Sequence, residues 1–146
     1  MLFYTGLAHD SSEILREQQS RTLRGVSTTL DALHAIKGAA REVRASLLSG
    51  DADAVGEIMH RAWSAKKSLS PGITSEPIDR AYAAAMEAGA LGGKIAGAGG
   101  GGFLMVYVPP GRQRAVTNVL HELGLVKSDF QFDHAGARVL MNNAGD

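Results

Sequence analysis

The chain has 146 residues, 45% of them hydrophobic and 21% charged, which suits one globular domain with a real core. Fifteen Lys and Arg balance fifteen Asp and Glu, and this zero formal charge argues against nucleic acid or an acidic membrane surface as the main partner. Cysteine is absent, which excludes disulfides and thiolate zinc sites; with no apolar run of membrane-spanning length and no signal-peptide pattern, the expected location is the cytoplasm.

Leu2 to Thr5 reads as a short strand ended by Gly6, and a chain that opens directly on a strand suggests a piece of something longer. Ser11 or Ser12 is positioned to cap a helix through EILREQQSRTL, broken by Gly25 and the VSTT stretch. Leu33, Ile36, Ala40, Val43 and Leu47 recur at spacings of three and four, one stripe of an amphipathic helix. Ser49-Gly50-Asp51 ends it and caps the next helix, whose face is Val55, Ile58, Met59, Ala62 and Trp63. After the turn Ser70-Pro71-Gly72, Ser75 is positioned to cap a third long helix with Ile78, Tyr82, Ala85, Met86 and Gly89 inward.

A glycine loop follows, then a strand from Phe103 to Val108 ended by Pro109-Pro110-Gly111. Val116, Val119, Leu120 and Leu123 mark another helix, closed by Gly124. FQFDH and ARVLM read as two short strands around an Ala135-Gly136 hairpin turn, and the MNNAGD tail as frayed. A small, mainly antiparallel sheet with helices segregated from it predicts a two-layer α+β sandwich, one domain over residues 1–146.

The loop KIAGAGGGGF carries five glycines in six residues, from Gly97 to Gly102. Gly97, Gly99 and Gly102 satisfy G-x-G-x-x-G, but a dinucleotide fingerprint needs a strand before and a helix after, and here a helix is expected before and a strand after. A phosphate-binding P-loop fails too, because Gly93-Lys94 is followed by Ile95 and Ala88 stands at the first-glycine position. Bare backbone from Gly97 to Gly101 could present N–H groups to phosphate as a nest does, or could simply pack against a neighbouring element.

GGKIAGAGGGGFLMVYV resembles the third conserved motif of the GHMP small-molecule kinases, which include galactokinase, homoserine kinase, mevalonate kinase and phosphomevalonate kinase. FYTG, the helix through EILREQQ, the block of Trp63, Lys66, Leu69, Ser70 and Ile73, and MEAGALGGK running into the loop resemble the C-terminal half of the heptose-phosphate kinase branch. An Arg-Ser type pair expected after the first strand is replaced by Ala8-His9-Asp10-Ser11. The resemblance implies a ferredoxin-like C-terminal domain of an ATP- and Mg²⁺-dependent sugar-phosphate kinase. In that family the phosphate-holding loop, magnesium ligands and catalytic acid lie in an N-terminal domain, and nothing in this chain matches them. Half an active site is therefore implied, inactive alone, whose partner is the N-terminal domain or a second copy. The alternative is a free-standing binding or assembly module without catalysis.

In that family the loop lies against the other domain's nucleotide phosphate loop, so the resemblance implies that Gly97, Gly99, Gly100 and Gly101 lie near the nucleotide and that the block with Trp63 and Lys66 contributes to the sugar-phosphate site, while Lys94 is a further candidate there as a mobile point charge able to reach a phosphate. From spacing alone, Trp63 suits a core position as well as a pocket wall, and Lys94 suits a solvated or carboxylate-paired lysine as well as a phosphate ligand. The five histidines form no metal-ligand pattern, and no residue stands out as nucleophile or general base.

Overall fold

The computed structural model describes residues 1–8 and 10–137. The chain folds as β1 (Leu2–Tyr4), α1 (Ser11–Leu23), α2 (Ser27–Ser49), α3 (Ala52–Lys67), α4 (Glu76–Glu87), β2 (Gly92–Ile95), β3 (Phe103–Tyr107), α5 (Gln113–Glu122) and β4 (Val126–Ser128). Single 3₁₀ turns at Pro71–Ile73 and Pro110–Arg112 precede α4 and α5. The strands form one antiparallel sheet in the order β2-β3-β1-β4, as the α+β reading predicts.

One face of the sheet is the floor of the core. Phe3, Ile95, Leu104 and Val106 alternate onto it and are buried with Ile78, Ala81 and Ala85 of α4 and Val116 and Leu120 of α5. The opposite face carries Tyr4, Lys94, Phe103, Met105 and Tyr107, none of them fully buried. At its β2 edge α3 comes against the sheet with its neighbour α2 alongside.

Several local expectations are corrected. The cap of α1 is Asp10, whose carboxylate accepts from the Ser12 N–H at 2.8 Å, rather than either serine. The VSTT stretch belongs largely to α2, since the left-handed Gly25 (φ 67°) turns the chain sharply enough for a new helix to start at Ser27. Asp51 caps α3 as expected, accepting from Ala54 at 3.0 Å, whereas Ser75 precedes α4 without a side-chain capping bond. Gly89 lies beyond α4 with φ 108°, so it ends that helix instead of facing inward from it.

Two corrections concern strands. Gly92–Ile95, read as the approach to the glycine loop, is β2, hydrogen-bonded along β3 with Lys94 opposite Met105. The loop therefore joins two antiparallel strands, and no helix follows it that could receive a pyrophosphate. FQFDH is not a strand: Gly124 (φ 83°) reverses the chain after α5 so that β4 already pairs with β1 at Val126–Ser128. Phe130 and Phe132 then pack edge-to-face on each other at 5.5 Å and stay exposed. ARVLM after Ala137, the MNNAGD tail and His9 lie outside the described residues.

Candidate functional site

The loop between β2 and β3 is held at its far end by backbone bonds. Gly100 donates to the Ile73 carbonyl at 2.8 Å and Gly102 to the Leu7 carbonyl at 2.9 Å, while the Gly102 carbonyl accepts from both Thr5 N and Thr5 Oγ1. Gly99 and Gly101 are required by close approach: a Cβ on Gly99 would lie 2.8 Å from the Ile73 oxygen, and one on Gly101 would collide with the Leu7 oxygen. Gly97, by contrast, faces open space and is set by its φ of 76°. Packing thus explains Gly99 and Gly101, and a left-handed backbone (φ 74°) explains Gly100. The N–H groups of Gly97, Ala98, Gly99 and Gly101 have no hydrogen-bond acceptor among the described residues. They border a hollow of about 360 Å³ shared with Tyr4, Ser11 and Phe103.

Beside the loop, α3 and β2 bring together two cations. Lys66, on the last turn of α3, donates to the Gly97 carbonyl at 2.6 Å and lies 6.0 Å from the centre of the Trp63 ring. Burial first, then the nearby Lys94 charge, pulls its pKa below the usual lysine value. Neither lysine forms an ion pair with a described carboxylate, which sets aside the carboxylate-paired reading of Lys94. Lys67, one residue on, is instead paired with Asp79, which also accepts from Thr74.

Both lysines sit on a groove of about 390 Å³ whose walls include Trp63, Met59, Val43 and Met105. Trp63 serves the core as much as the groove: it is 1% exposed, and its indole N–H has no partner among the described residues. Tyr82 packs at 6.3 Å from it and hydrogen-bonds His60 Nδ1 at 2.9 Å; burial pushes the Tyr82 hydroxyl up to about 12. Histidine and carboxylate groups of three or more, as a metal would need, do not occur among the described residues. No helix of the described residues is long and apolar enough to cross a membrane.

The fold brings Trp63, Lys66 and Lys94 together on one groove, and Lys66 onto the glycine loop. Residue spacing missed Tyr4 and Phe103, opposite one another on β1 and β3, with ring centres 5.4 Å apart and both exposed on the face beside the loop. The signal was available in the alternation of FLMVY, whose first residue is an aromatic on the face opposite the buried Leu104 and Val106.

Known proteins agree with this architecture. Residues 43–124 match the family model for the GHMP kinases C-terminal domain. D-glycero-alpha-D-manno-heptose 7-phosphate kinase of Campylobacter jejuni is 30% identical over 139 residues, covering 94% of this chain and 40% of that protein. Mevalonate kinase of Pyrococcus horikoshii is 28% identical over 93% of this chain and 41% of its own length. The chain thus spans about two fifths of these relatives. In fold it is similar to L. major mevalonate kinase crystallised with R-mevalonate, with a TM-score of 0.74 at 16% identity over 83% of this chain and 37% of that one. Matched in sequence across α3, α4, β2, the glycine loop, β3 and α5, the chain belongs to the GHMP kinase C-terminal domain family.

Proposed function

We propose that this chain supplies the C-terminal part of an ATP-dependent sugar-phosphate kinase acting in the cytoplasm, with a heptose phosphate or similar sugar phosphate as acceptor. The observation that carries the reading is the pair Lys66 and Lys94, two cations without a carboxylate between them, one of them bonded to the glycine loop. Such a pair is a seat for an anion, because a phosphate neutralises charge that the fold leaves uncompensated. The name of the Campylobacter jejuni relative supports a heptose phosphate as that anion.

Phosphoryl transfer asks a protein mainly for positioning and for charge around the phosphates. In this reading Lys66 and Lys94 hold the acceptor's phosphate, and Trp63 closes the groove beside them. The free N–H groups of Gly97, Ala98, Gly99 and Gly101 suit a place against a nucleotide's phosphates or against the loop that holds them. ATP, when bound, supplies the phosphoryl group. Magnesium ligands, a phosphate loop and a catalytic acid would come from an N-terminal domain, which meets this chain on the open sheet face around Tyr4 and Phe103.

Kinase assays on the pure chain, and on the chain joined to a preceding segment that carries a Pro- and Gly-rich Ser-Ser phosphate loop, test this. The chain alone is expected to be inactive and the joined protein to phosphorylate a heptose phosphate. In the joined protein, Lys94→Met is expected to raise the KM for the sugar phosphate about tenfold or more, the loss of one charge-assisted hydrogen bond. Inactivity of the joined protein, with tight self-association through the open face, would favour an assembly module instead.

A further inference from the structure

Lys66 makes the only hydrogen bond that any described residue contributes to the segment Gly97–Gly99. The rest of the loop is fixed independently, by Ile73 and Leu7 at Gly100 and Gly102 and by the ladder bond from Ala96 N to the Phe103 carbonyl. The elements that carry the two lysines are also fixed, since α3 and β2 touch through the backbones of Gly56 and Gly92. Between these parts the chain is left-handed at Gly97 (φ 76°) and Gly99 (φ 121°); Gly99 is packed on Ile73 and Ala98 on the core, whereas Gly97 is exposed and bonded only by the Lys66 ammonium group.

That ammonium group is held under opposing influences. It is half-buried and faces the like charge of Lys94, both of which disfavour its protonated form. One of its three N–H donors is engaged by Gly97, and the others remain for an anion. An anion between the lysines would offset their repulsion and fix the Lys66 ammonium group where it donates to the Gly97 carbonyl.

We infer that Lys66 is a positioning residue that couples anion occupancy of the lysine pair to the conformation of the Gly97–Gly99 segment. Phosphate on the acceptor side thereby orders the N–H groups on the nucleotide side. The coupling deepens the kinase reading and rests on its assignment of Lys66 and Lys94 to a phosphate.

The test is a titration of the ¹⁵N-labelled chain with inorganic phosphate at constant ionic strength, following the amide signals of Gly97, Ala98, Gly99 and Gly101. Wild type is expected to show saturable shifts of these signals. Lys66→Met is expected to abolish the loop shifts while Lys94 and groove signals still respond, and Lys66→Arg to restore them in part. Lys94→Met is expected to weaken binding yet leave the loop shifts intact at saturation. Loop shifts of wild-type size in saturated Lys66→Met would overturn the coupling and leave the anion seat standing. Absence of any phosphate response in wild type would overturn both.

Discussion

Gly92 of β2 and Gly56 of α3 are in backbone contact. A Cβ on Gly92 would collide with the Gly56 carbonyl oxygen and lie 2.7 Å from the His60 nitrogen. This contact lets a helix sit against a strand edge closely enough to set Lys66 beside Lys94. Neither partner can yield, because both obstacles are backbone. Gly92→Ala is therefore expected to cost about 3 kcal/mol or more, at the upper end of overpacking effects and a large share of a marginal domain's stability. Gly56→Ala meets the Tyr107 ring at 2.6 Å and the Leu91 Cβ at 2.8 Å; both obstacles are side-chain atoms on loop and strand positions that can shift slightly, unlike the helix backbone opposite Gly92, so its cost should be smaller, about 1–3 kcal/mol. Urea denaturation of the two variants ranks them; a Gly92→Ala protein as stable as wild type would show that α3 and β2 are not in contact.

The loop glycines divide in the same way. Gly101→Ala runs into the Leu7 carbonyl, and Gly99→Ala combines a clash with Ile73 and a φ of 121°. Gly97→Ala meets nothing within 4 Å and pays only for its left-handed backbone, about 1–2 kcal/mol. Denaturation midpoints should fall in that order, with Gly97→Ala the mildest. A reversed order would mean that the loop does not pack on Ile73 and Leu7.

Helices were readable in the sequence because their signals are local. The three- and four-residue spacing marks α2 through α5, Asp51 caps α3, and Gly124 ends α5. Even so, the end of the α2 stripe is solvent-facing, with Leu47 64% exposed, since α2 runs on past the groove residues Ile36, Ala39, Ala40 and Val43. The strands depended on partners that a pattern does not reveal. Gly92-Gly93-Lys94-Ile95 has neither alternation nor branched residues to announce a strand; pairing with β3 and the tight fit under α3 make it one. FQFDH has the alternation and lacks a pairing partner among the described residues. For the site, Lys66 and Gly97 lie 31 positions apart, and only the α3–β2 contact joins them. The family resemblance brought these residues together in the sequence reading, where spacing alone could not.

Tyr82 makes the alkaline limit of stability testable. Its hydroxyl is raised from the ordinary value of 10 to about 12 by burial, so the folded chain keeps this proton at pH values where the unfolded chain has lost it. The stabilisation is fully present below pH 10 and is lost as pH rises through the interval from 10 to about 12. Tyr82→Phe removes that loss and gives up the hydrogen bond to His60, at a cost of about 1 kcal/mol near neutrality. The stability difference between wild type and Tyr82→Phe should narrow or reverse as the pH is raised. A constant difference across this range in denaturant titrations would show that the hydroxyl is open to solvent.

Tyr4 and Phe103 supply the test of the open face. Their rings contact one another at 5.4 Å, yet 43% of Tyr4 and 37% of Phe103 remain exposed, on the side of the sheet that α4 and α5 leave uncovered. Aromatic residues in such a position contribute little to the fold that carries them and much to an interface that buries them. Phe103→Lys should therefore change the stability of the chain by less than about 1 kcal/mol. It should weaken association with an N-terminal kinase segment about tenfold or more, as measured by calorimetric titration of the two pieces. Two results would count against docking on this face: association that is indifferent to Phe103→Lys, or a variant that unfolds because the ring belongs to the core. In the first case the interface lies elsewhere, and the hollow between Phe103 and the glycine loop is a solvent-filled surface rather than half of a phosphate site.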